Sequence, residues 1–99
     1  MHDQFSAWLY MRKKLISKIH CNPRKRSTIE AGHPDYTLLR NNKCLLIELK
    51  DPPNGLSDMQ IARIAELEAA GNTVYVCTSF EAAMRLTLET FDLRPGQLE

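Results

Sequence analysis

Ninety-nine residues, 43% of them hydrophobic, suffice for one globular domain whose core needs no disulfide staples. A net charge of +1 excludes a protein that coats nucleic acid by bulk electrostatics, and the three cysteines, odd in number and without C-x-x-C or zinc-finger spacing, exclude a disulfide framework and favour a reducing compartment. No apolar run approaches a membrane span and the N-terminus lacks signal-peptide features, so a cytosolic protein without a membrane partner is expected.

The spacing of Phe5, Trp8, Leu9 and Arg12 predicts a short amphipathic helix from Asp3 to about Lys13, with Asp3 as its N-cap. Leu15 to Cys21 reads either as an extension of that helix or as a strand stopped by Asn22-Pro23. The strand is preferred, because a hairpin further on needs a third partner to make a stable sheet. Pro23 to Gly32 is then a polar, basic loop.

Tyr36 to Arg40 and Cys44 to Ile47 read as the strands of that hairpin, joined by Asn41-Asn42, a pair that suits a two-residue turn with positive φ. If these two residues alone make the turn, Arg40 faces Lys43, and stepping back along both strands brings Asp35 opposite Glu48. Opposed residues share a face with Cβ atoms about 4.5–5.5 Å apart, and like charges that close are destabilising unless something positive sits between them. A divalent metal ion would do so. Lys50, two residues past Glu48, falls on the same face by the period-two alternation of strands.

Asp51 to Gly55 cannot continue a strand. Ser57 and Gln60 have capping-box spacing, and Met59, Ile61, Ile64, Ala65, Leu67 and Ala69 carry a helix that stops at Gly71. Thr73 to Thr78 predicts a strand buried on both faces, completing a strand-helix-strand crossover. Ser79 caps a last helix through Ala83, Leu86 and Thr90, and 92–99 is expected to be a flexible tail. The bases Arg12, Lys13, Lys14, Lys18, Arg24, Lys25 and Arg26 precede the hairpin, whereas Glu66, Glu68, Glu81, Glu89, Asp92 and Glu99 follow it, so phosphate contacts are expected from the N-terminal third.

An acid, then acid-x-lysine on the adjacent strand, is a set suited to phosphodiester hydrolysis. Carboxylates hold a metal that activates water, and an ammonium steadies the charge developing on the phosphoryl oxygens. The same residues also fit the wet face of a half-exposed strand. Gln60 has a purely local use in the capping box, Gly32 and Pro34 suit the turn into the strand, and His33 is either a neighbour of the site or an incidental loop residue. Cys44 and Leu46 share the face of Glu48, and with Cys77 they read as packing.

Gly32-His33-Pro34-Asp35, Leu46-Ile47-Glu48-Leu49-Lys50, Leu56-Ser57-x-x-Gln60 and Ala70-Gly71-x-x-Val74-Tyr75-Val76, in this order, resemble the VRR-NUC family of the PD-(D/E)xK nuclease superfamily. The resemblance runs from about Ile16 to Leu88. It implies an α/β fold with a restriction-endonuclease-like core, αβββαβ plus a C-terminal helix, its mixed central sheet flanked by helices. It implies Asp35, Glu48 and the Leu49 carbonyl as ligands of Mg²⁺ or Mn²⁺, Lys50 as the catalytic lysine, and Gln60 at the edge of the site.

Small stand-alone relatives of phages and bacteria form homodimers that cut branched DNA such as four-way junctions, so the same is expected here, with Lys18, Arg24, Lys25 and Arg26 on the DNA. Members of the family usually carry a glutamate on the first helix. Here that region offers Asp3 and Gln4, with Glu30 the other carboxylate at hand. This departure keeps open a second reading, a non-catalytic DNA- or protein-binding module that retains the nuclease fold. The stripe of Phe5, Trp8 and Leu9, or the face of the last helix, would serve as the dimer surface.

Overall fold

The structure, a computed structural model, describes residues 1–20 and 32–99. Its elements follow in the order α1 (His2–Tyr10), β1 (Ser17–His20), β2 (Tyr36–Arg40), β3 (Lys43–Leu49), α2 (Asp58–Ala69), β4 (Val74–Cys77) and α3 (Phe80–Phe91). The strands form one mixed sheet, β1-β2-β3-β4, antiparallel except for the parallel β3–β4 pair. The mixed α/β class and the element order are those expected. Among the described residues no helix is long and apolar enough to cross a membrane.

Asn41 and Asn42 have φ of 48° and 65°, left-handed conformations that match a two-residue turn to the twist of its strands. The turn sets the register. Arg40 faces Lys43 and Tyr36 faces Ile47, so one step further Asp35 comes opposite Glu48, as the pairing arithmetic predicts. β1 adds to the outer side of β2, Ser17 against Leu39 and His20 against Tyr36, which decides residues 17–20 in favour of strand.

Alternation along the strands directs Tyr36, Leu38, Leu45, Ile47, Leu49 and Cys77 to one face, where they form a buried cluster with Phe5 and Leu9 of α1 and Ala83, Leu88 and Phe91 of α3. Each large side chain buried there contributes roughly 1.5–3 kcal/mol. Phe5 meets Tyr36 edge-on with centroids 5.0 Å apart. The apolar stripe considered as a dimer surface is therefore taken up by the core, since Phe5 and Leu9 are buried. Arg12 stacks on Trp8 at 4.1 Å and donates to the carbonyls of Trp8 and Pro95. The Pro95 bond and the buried Leu93 attach the segment after α3 to the turn that follows α1 and to the core.

Two local expectations are corrected. The N-cap of α1 is Met1, without a side-chain cap bond, and Asp3 lies inside the first turn, where its charge complements the positive end of the helix. Strand β4 is not buried on both faces, because Tyr75 and Val76 are 43% and 44% exposed. β4 is the edge of the sheet, and α2, which packs beside it, has no fully buried side chain of its own to cover it.

Candidate active site

The site forms where β2 begins, β3 ends and the N-termini of α1 and α2 converge. Asp35 precedes β2, and its Oδ2 accepts a hydrogen bond from the Leu49 amide at 2.8 Å, which holds the carboxylate across the end of β3. Glu48 belongs to β3 and is 1% exposed. Burial first, and then the adjacent Asp35 carboxylate, push its carboxyl up to about 8, against a smaller opposing pull from Lys50. Its Oε2 has no hydrogen-bond partner. Two carboxylates lack a donor between them, so Asp35 can bond to Glu48 only by sharing a proton, or a cation can take the proton's place.

The opposite oxygen of Glu48 is engaged. Gln60 donates from Nε2 to Glu48 Oε1 at 2.9 Å, and Lys50 Nζ lies 3.9 Å from the same oxygen. Gln60 also closes the capping box of α2. Its Oε1 accepts from the Ser57 amide at 2.9 Å, and its own amide donates to Ser57 Oγ at 3.2 Å. One side chain therefore both closes the cap and bonds to Glu48.

The loop entering β2 is pressed against this helix start. Gly32 has φ 83°, and a Cβ there would lie 2.5 Å from the Met59 carbonyl oxygen and 3.2 Å from the Gln60 amide nitrogen. Pro34 is fully buried. His33 bonds through Nε2 to Thr37 Oγ1 at 3.2 Å, and burial, followed by the nearby Arg63 charge, holds its imidazole below the usual histidine range. Its contact is with β2, so it braces the strand entry.

Asp35, Glu48, Lys50 and Gln60 are thus brought together. Lys18 is exposed and pairs with Leu38, which puts it on the α1/α3 face of the sheet, away from Glu48. Arg24, Lys25, Arg26, Glu30 and Cys21 lie outside the described residues. Asp3 and Gln4 are exposed, and the first-helix side chain beside the acids is His2, whose Nε2 lies 3.7 Å from Asp35 Oδ2. Sequence reasoning passed over His2. Its place depends on how α1 packs across Tyr36, which no local spacing reveals.

A buried, unpartnered carboxylate oxygen, a second carboxylate opposite and the Leu49 carbonyl at the same strand end are hard oxygen donors suited to a divalent cation. Among the described residues no three His, Cys, Asp or Glu side chains are already gathered closely enough to hold one.

A model of the VRR-NUC domain matches residues 6–81 of the 99-residue chain. The chain belongs to the VRR-NUC family. A VRR-NUC domain carries a nuclease-type function with DNA as its partner, and membership is consistent with the PD-(D/E)xK superfamily. The matched span of this VRR-NUC chain contains every residue of the cluster from Asp35 to Gln60, while His2 lies before it. Neither the curated proteins nor the solved structures compared with it matched.

Proposed function

We propose that this VRR-NUC domain is a Mg²⁺- or Mn²⁺-dependent endonuclease with a PD-(D/E)xK core, selective for branched DNA and acting on four-way junctions as a homodimer. The observation that carries the proposal is the buried, unpartnered Oε2 of Glu48 beside the Asp35 carboxylate, with the Lys50 ammonium 3.9 Å from the other carboxylate oxygen, in a nuclease-type domain. Asp35, Glu48 and the Leu49 carbonyl would hold the ion. When bound, the ion supplies an activated water and charge relief at the phosphoryl and leaving oxygens.

Gln60 fixes Oε1 of Glu48 and leaves Oε2 available to the ion. Lys50 sets a cation beside the carboxylates, where the negative charge of the transition state accumulates. Recognition is of phosphate and shape, through Arg24, Lys25 and Arg26, with Lys18, on the sheet face away from Glu48, reaching only DNA that passes round the β1 edge. A dimer suits a junction because two symmetric nicks need two sites in a fixed relation.

The test is cleavage of a four-way junction and its linear duplex control with Mg²⁺, Mn²⁺ or EDTA, comparing the native chain with Lys50→Ala. Metal-dependent junction cutting that Lys50→Ala abolishes is the expected result. A folded protein that cuts neither junction, flap nor single strand overturns the proposal. It would favour the second reading, the binding module, which draws its support from the lack of a preassembled three-residue metal cluster among the described residues.

A further inference from the structure

We infer that His2 is a third ligand of the ion held by Asp35 and Glu48, and that it biases the site toward metals that accept nitrogen. The inference rests on the metal-dependent reading above. His2 Nε2 faces Asp35 Oδ2 at 3.7 Å, too far for a direct hydrogen bond. Two ligands each about 2.1 Å from one ion are at most about 4.2 Å apart, so this separation leaves room for a shared cation as well as for an ion pair with a protonated imidazole.

The residue is held in place by its backbone. Phe5 and Leu9 anchor α1 in the core, Tyr36 donates from its hydroxyl to the His2 carbonyl at 3.3 Å, and the same hydroxyl pairs with Ser6 Oγ at 2.6 Å. Tyr36 directly follows Asp35, so this packing ties the start of α1 to the acidic pair. The imidazole itself is 41% exposed and rests against the Tyr36 ring with centroids 6.1 Å apart. His2, Asp35 and Glu48 are not gathered as they stand, so a shared ion requires the exposed imidazole to move toward Glu48 when it binds.

An independent observation points to a ligand at the same place, namely the 1% exposed Glu48 with its unpartnered Oε2. With two carboxylates alone, a hard cation such as Mg²⁺ would be favoured. An added imidazole raises affinity most for Co²⁺ and its later neighbours in the transition series, which take nitrogen readily.

Co²⁺ titration of the full chain, followed by its visible absorption bands, with Mg²⁺ affinity measured by competition, tests this on the native protein, His2→Ala, His2→Gln and Glu48→Gln. The expected result is one Co²⁺ per chain. Glu48→Gln should abolish it, and both His2 variants should weaken it at least about tenfold with a changed band shape and a much smaller change for Mg²⁺. Native affinity and bands in both His2 variants, with binding still lost in Glu48→Gln, would overturn the role of His2 alone. Persistence of the Co²⁺ bands in Glu48→Gln, or no Co²⁺ binding by the native chain, would overturn the metal-dependent reading and this inference with it. Far-ultraviolet circular dichroism of each variant shows that the comparison is between folded proteins.

Discussion

Gln60 joins the start of α2 to the buried acid of β3, donating from Nε2 to Glu48 Oε1 at 2.9 Å while its Oε1 accepts from the Ser57 amide at 2.9 Å. The orientation of the side-chain amide follows from chemistry. The Ser57 N–H can only donate, so it claims the Gln60 oxygen and turns the NH₂ toward Glu48. A helix cap thereby selects which carboxylate oxygen is occupied, and Oε2 is the one left without a partner.

Removing the two partners of the cap separates local from site effects. Ser57→Ala loses the hydroxyl that accepts from the Gln60 amide and should cost about 1 kcal/mol of stability, with little change in cleavage. Gln60→Ala should cost a similar amount and also release Glu48, lowering cleavage about 10- to 100-fold. Urea unfolding alongside junction cleavage measures both. Equal losses of activity in the two variants would mean that Gln60 acts through the helix rather than through Glu48.

The Glu48 carboxyl produces a pH dependence with a definite sign. Its proton leaves the folded chain at about 8, against 4.5 for the unperturbed group, because of burial and then of Asp35. Between these values the folded state binds more protons than the unfolded one, so the metal-free protein loses stability as pH rises from about 4.5 to about 8. His33, held below the usual histidine range, acts in the opposite sense near its own titration. The diagnostic quantity is therefore the difference between native and Glu48→Gln. In EDTA, Glu48→Gln should gain on the native chain as pH rises through this range, and a divalent ion added at pH 8.5 should stabilise the native chain but not the variant. Urea midpoints from pH 5 to 9 check this, and parallel curves for the two proteins would contradict it.

Features set by local arithmetic are legible in the sequence. The Asn41-Asn42 turn determines the hairpin register and hence the opposition of Asp35 and Glu48, and the Ser57/Gln60 spacing marks the cap of α2. What was not legible depends on contacts between distant segments. Val74 to Cys77 is rich in strand-forming residues whether or not a helix covers it, so its composition could not separate an edge strand from a central one. His2 reaches Asp35 because Phe5 packs on Tyr36, a contact across 31 positions of sequence that periodicity does not encode. Gln60 was legible as a cap, but its bond to Glu48 needs α2 to return over the end of β3.

Gly32 is where that return is held tightest. Its φ of 83° already favours glycine, and a methyl group would meet the Met59 carbonyl oxygen at 2.5 Å and the carbonyl carbon at 2.8 Å, both backbone atoms that cannot rotate aside. Gly32→Ala must therefore either strain the loop or lift the first turn of α2, and the first turn carries Gln60. The expected cost is about 1–3 kcal/mol, together with weaker metal binding as Gln60 moves off Glu48. Gly55→Ala is the matched control, because nothing lies within 4 Å of its Cβ position; it should leave stability within a few tenths of a kcal/mol of native, in either direction. Thermal unfolding and metal titration of the two variants together distinguish the cases. If Gly32→Ala were as stable as native and bound metal equally well, the close approach of the β2 entry to α2 would have no part in holding the site.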